Sequence, residues 1–153
     1  MGRSLEFFQN NGLIDSKVHC DKCGYECCKT EGDNFIVLFP WERVEAARVG
    51  LKLEHLETID DNPALTHCIR PCLGDDDYKP GNCAIYPTYP ISEDLSDWVR
   101  GSKNRCPISS TRLSKQIGIV KNALVKIEKA HPGSIKILVD SIKEYPGALE
   151  QFK

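Results

Sequence analysis

A mainly helical domain with irregular loops and one or two short strands is the fold this sequence predicts. Three observations carry that expectation. An apolar stripe of helical period begins at Leu113, proline and glycine crowd the stretch from residue 62 to 107, and a single short apolar run, FIVLF, occupies residues 35 to 39.

FIVLF is short, apolar and rich in β-formers, so it reads as a buried strand. Pro40 behind it suits the first turn of a helix, where a missing N–H costs nothing. WERVEAARV continues with good helix formers, and Gly50 is placed to end the helix in the left-handed conformation. From DDNPALTH to NRCPISS, six prolines from Pro63 to Pro107 recur with Gly74, Gly81 and Gly101. So many breakers predict mostly irregular chain. A loop-rich stretch of that length inside a domain needs something to hold it together.

Leu113, Ile117, Val120, Leu124 and Ile127 then recur at intervals of four and three, which sets them on one helical stripe. After HPGS, Ile135, Leu138, Val139 and Ile142 repeat the pattern up to Pro146 and Gly147. Two C-terminal helices packed over the chain's own core are expected.

With 153 residues and 17.2 kDa, the chain suffices for a single domain over residues 1–153. Within it, residues 18–108 form a cysteine-bearing core and 109–153 a helical extension. The first residues lack the basic start and apolar run of a secretory signal. MGRSLE also lacks the Ser or Thr that a myristoylation motif carries at position six. No apolar run approaches the ~20 residues of a membrane span. A cytoplasmic location is therefore expected. Basic residues are in surplus after position 107 and acidic ones before it, a bias spread over helix-like segments and best read as a solvated face. With a pI near 6.1, nucleic acid is not an expected partner. A protein partner is left open.

The eight cysteines fall into two groups, Cys20, Cys23, Cys27 and Cys28, then Cys68, Cys72, Cys83 and Cys106. In a reducing compartment such clusters bind metal or do redox chemistry more often than they form disulfides. Thiolates hold zinc and iron strongly because they are soft, polarisable anions. The step Cys20-x2-Cys23 lets a tight turn aim two sulfurs at one ion, and Cys68-x3-Cys72 is a second local pair. Neighbouring side chains diverge, so Cys27 and Cys28 are expected to serve different roles. Cys20, Cys23 and Cys27, spaced three and four apart, can share one face of a helical turn.

CDKCGYECC resembles the signature of the CxxCxxCC cysteine-cluster family, the zinc- or iron-chelating domain also called YkgJ-type. The spacing here is one residue longer before the doubled cysteine. FIVLFPWERVEAARVGL is similar to the strand and helix that follow in the family. Cys68 and Cys72 match its two middle cysteines, YKPGNCAIYP stands at its proline-cysteine stretch, and RCP supplies Cys106. Lys79 and Ala84 stand where the family carries arginines. The resemblance implies that all eight cysteines are metal ligands. It also implies a metal-binding protein of the zinc- or iron-chelating type, holding an iron-sulfur cluster or iron, with zinc as the alternative. Eight cysteines divide evenly into two four-thiolate zinc sites, which keeps a structural zinc protein open. A thiol-redox enzyme is the weaker rival, because one catalytic cysteine leaves seven unexplained. Catalysis is accordingly not expected, and no catalytic residue is assigned.

His19 and His67 each precede a cluster cysteine and are secondary ligand candidates, set aside because adjacent residues diverge. His55 and His131 read as surface residues. Asp75, Asp76 and Asp77 lack the oxygen-ligand spacing of a calcium loop and read as a solvated turn. Tyr86 and Tyr89 read as a hydrophobic cover for the metal site.

Overall fold

The computed structural model describes residues 3–11, 13, 35–70, 74–86, 88–101, 109–144 and 149–151. Among these, five helices and two three-stranded antiparallel sheets form a mixed α/β architecture, which corrects the mainly helical expectation. The helices are α1 (Glu6–Asn10), α2 (Pro40–Arg48), α3 (Gly81–Ile85), α4 (Ser110–Ala130) and α5 (Ser134–Glu144). The strands are β1 (Ile36–Val37), β2 (Leu56–Ile59), β3 (Asn62–Cys68), β4 (Thr88–Pro90), β5 (Trp98–Gly101) and β6 (Leu149–Gln151).

The first sheet has the order β1-β3-β2. FIVLF supplies its edge strand, with Ile36 opposite Thr66 and Val37 opposite Leu65. β2 and β3 form a hairpin in which Leu56 faces Cys68 and Glu57 faces His67. Its turn residues Asp60 and Asp61 both take positive φ, 51° and 56°, as the backbone of a tight hairpin with matched twist requires. The second sheet has the order β4-β5-β6.

Four of the six strands thus lie in or beside the proline-rich stretch that the sequence predicts to be irregular. Pro63 and Pro90 stand where a sheet tolerates them. Pro63 sits beside the register shift at Thr58 and Ile59, and Pro90 lies on the edge strand β4. Pro80 directly precedes α3, and its carbonyl accepts from Cys83 N–H.

α2 begins at Pro40, and Gly50 beyond its end takes φ +78°. α4 and α5 form a helical hairpin closed by Gly133 at φ +94°. Leu113, Val120, Leu124 and Ile127 of the stripe are buried, together with Ile135, Leu138, Val139 and Ile142. Ile117 is only partly covered. All of the buried ones except Leu113 join Phe8, Val37, Leu65 and Tyr89 in one core cluster. No helix among the described residues is long and apolar enough to cross a membrane.

Candidate functional site

α3 carries Cys83 and is only five residues long, too short to persist by its own hydrogen bonds. It is held from several sides. Gly81 N–H donates to Glu42 Oε1 at 2.9 Å, and Asn82 Oδ1 accepts from Val37 N–H of β1 at 3.0 Å. Asn82 Nδ2 also donates to the Tyr89 hydroxyl at 3.1 Å. At its C-terminal end the Ile85 and Tyr86 carbonyls accept from Gln116 Nε2 of α4, at 2.8 and 3.0 Å. Phe8 packs so closely over Gly81 that an added Cβ would lie 2.5 Å from its ring.

Glu42 is the hub of this arrangement. It sits in the first turn of α2 and is fully buried. Its Oε2 accepts from Phe39 N–H at 2.7 Å, the return arm of a capping box. Its Oε1 accepts from the Tyr78 hydroxyl as well as from Gly81. Burial pushes the carboxyl up from 4.5 to about 7, against the opposing pull of these donors and of the Arg43 charge. Burial also raises the Tyr78 hydroxyl, with further contributions from the Glu42 charge and from Cys83.

A second polar cluster lies one residue away. Asp77 accepts a bidentate pair from Arg70, at 2.7 and 3.0 Å, and a 2.9 Å bond from Gly74 N–H. The Arg70 guanidinium holds this carboxyl well below its ordinary range. Beside it His55 is completely buried, its Nδ1 3.9 Å from Asp77 Oδ1. Among the described residues, neither ring nitrogen finds a well-formed hydrogen bond. Burial lowers its pKa, so the imidazole is held neutral.

Two sequence expectations are corrected here. His55 is a core residue rather than a surface one, and only Asp75 and Asp76 of the aspartate run are solvated, because Arg70 draws Asp77 inward. His131 is exposed but not idle, since its ring stacks on Trp41 at 4.3 Å. Tyr89 is buried against Phe35, with ring centroids 6.3 Å apart, and belongs to the core. Composition and motif spacing alone miss Glu42. The available signal is its position three residues after Phe39, where a capping carboxylate belongs.

Of the predicted metal ligands, Cys68 ends β3 and Cys83 lies in α3, both half-buried. Cys20, Cys23, Cys27, Cys28, Cys72 and Cys106 lie outside the described residues, as does His19. His67 neighbours Cys68 on the strand, and its Nε2 is 4.0 Å from Glu57 Oε1 on the facing strand. Among the described residues no three His, Cys, Asp or Glu side chains gather as a metal site would require. The thiols of Cys68 and Cys83 are soft donors of partial exposure, unlike cysteines sealed in a core. A scan against protein-family models finds no match for this chain, and neither curated proteins nor solved structures give one.

Proposed function

We propose that this protein binds metal through its cysteine thiolates, as an iron-sulfur cluster or iron, in the cytoplasm. The observation that carries the reading is the confinement of all eight cysteines to residues 20–106 in two groups, the first of them dense, with CxxC and CxxxC steps. The resemblance of CDKCGYECC to the zinc- or iron-chelating cysteine-cluster family supports iron. The bracing of α3 supports Cys83 as a ligand, since a short turn held by Glu42, Asn82 and Gln116 presents a thiol in one direction. Bound there, a cluster would supply one-electron chemistry or tie the cysteine-bearing segments together.

Zinc is the second reading, because eight thiolates make two complete tetrahedral sites. A thiol-redox enzyme is the third, and would need a low-pKa exposed cysteine beside a resolving partner. Anaerobic purification followed by absorbance and metal analysis separates the three. Brown protein absorbing near ~400 nm with stoichiometric iron and sulfide is the expected result. Colourless protein with stoichiometric zinc would replace iron by zinc. Metal-free protein whose thiols all react at once would overturn metal binding altogether.

A further inference from the structure

A cleft of about 760 Å³ opens between α1 and α2, its wall free of both Cys68 and Cys83, in the size range of small-molecule sites. Arg3 and Lys52 flank the segment at Asp77 and Tyr78, through Arg3 N–H to the Asp77 carbonyl at 2.8 Å and Tyr78 N–H to the Lys52 carbonyl at 2.9 Å. The residues leading into α1 and those following α2 are therefore both anchored on this one segment. Phe7 meets Trp41 edge to face at 6.4 Å, and Trp41 stacks on His131. The cleft is lined by the charges of Arg3, Glu6, Glu45 and Arg48 and by the rings of Phe7, Trp41 and His131.

α2 buries one charged and one apolar side chain, Glu42 and Ala46. On its other side Val44, on the cleft wall, is 71% exposed, and Val49 just past the helix end is 47% exposed. Apolar side chains turned to an open concave wall are what a ligand with an apolar body would cover. Two of the charges lining the cleft have the same unfinished character. Arg48 is paired with Glu45, but among the described residues the side chains of Arg3 and Glu6 make neither a hydrogen bond nor an ion pair. Ser4 also lines the cleft, 6% exposed, with a hydroxyl that has no hydrogen-bond partner among the described residues.

One unpaired cation and one unpaired anion three residues apart complement a zwitterion, and the apolar wall leading to Trp41 complements a ring. We propose that this cleft binds a free aromatic amino acid, its carboxylate on Arg3, its ammonium on Glu6, and its ring along Val44 toward Trp41. Arg3 suits a carboxylate because its planar fork can donate two parallel hydrogen bonds. Glu6 suits an ammonium as an acceptor of charge-assisted bonds.

The test titrates the whole protein with L-phenylalanine, with 3-phenylpropanoate, which lacks the ammonium, and with phenethylamine, which lacks the carboxylate. Backbone amide chemical shifts report the site directly. L-phenylalanine is expected to shift α1 and α2 resonances saturably, with a Kd below about 1 mM. Each truncated ligand is expected to bind about tenfold more weakly, the loss of one charge-assisted contact. Arg3→Gln should erase the advantage over phenethylamine, and Glu6→Gln the advantage over 3-phenylpropanoate. Val44→Ser should weaken all three ligands. These positions lie on the cleft wall and outside the core cluster, so the variants are expected to fold. Absence of saturable shifts in α1 and α2, equal binding of the three ligands, or indifference to both charge substitutions would overturn the proposal.

Discussion

The Tyr78 hydroxyl donates a 2.5 Å hydrogen bond to Glu42 Oε1, joining the first turn of α2 to the segment that runs between Arg3 and Lys52. Both groups are wholly buried. With Gly81 N–H on the same oxygen, this bond fixes where α3 begins, and with it the position of Cys83.

The buried carboxyl makes stability depend on pH. Glu42 takes up its proton near pH 7 in the folded protein and near 4.5 in the unfolded chain. Its contribution is therefore complete below pH 4.5 and is lost as the pH rises through about 7. The loss amounts to about 3 kcal/mol, since each tenfold change in proton affinity is worth about 1.4 kcal/mol. Glu42→Gln cannot ionise and is expected to flatten this slope, at a cost of about 1 kcal/mol for the Phe39 bond that the amide cannot accept. Urea denaturation from pH 4.5 to 8 measures both effects, and an unchanged slope in the variant would refute the assignment.

His55 acts in the opposite direction. Its folded pKa lies below the ordinary 6.5, so its contribution is present above pH 6.5 and is lost as the pH falls from there to the folded value. His55→Leu removes two buried ring nitrogens and is expected to change stability at pH 7 by no more than about 1 kcal/mol. It should also remove the acid-side loss. Imidazole resonances followed by NMR should show no titration near 6.5 for His55; a normal titration there would contradict its burial.

Asp77 carries a third dependence at lower pH. Arg70 depresses its folded pKa below 3.8, so the pair stabilises the protein above that pH and ceases to do so as the pH falls through the folded value. Arg70→Ala is expected to cost about 1.5 kcal/mol at pH 7, the low end for a charged hydrogen-bond pair, because solvent screens the half-exposed guanidinium. Thermal denaturation at pH 7 and in strong acid should show the difference shrinking. A constant difference would mean that Arg70 contributes through packing alone.

Gly81 is a matter of space. An alanine there would place its Cβ 2.5 Å from the Phe8 ring, and the ring is fully buried. Gly81→Ala is expected to destabilise by about 1–3 kcal/mol through overpacking. Phe8→Leu in the same chain should recover part of that loss, although it is destabilising alone. Strict additivity of the two changes would show that the ring and the glycine do not constrain each other.

Local chemistry made part of this protein legible from sequence alone. Pro40 and Gly50 mark the start and end of α2, and the spacing of Leu113, Val120, Leu124 and Ile127 marks the buried face of α4. Such signals act within a few residues, where steric freedom and helical period depend on the sequence itself. The sheets needed the folded chain. Pro63 and Pro90 read as breakers until the bulge and the sheet edge that accommodate them are known, and the partners of β1 and β6 are chosen by contacts between distant segments. The buried polar groups are decided the same way. Nothing near Glu42 in sequence reveals that Tyr78 and Gly81 will meet it, and nothing near His55 reveals that it will be enclosed beside Asp77. The cysteine spacing that suggests metal is a sequence property. The direction of Cys83 is a tertiary one, because a five-residue helix takes its position from the side chains that hold it.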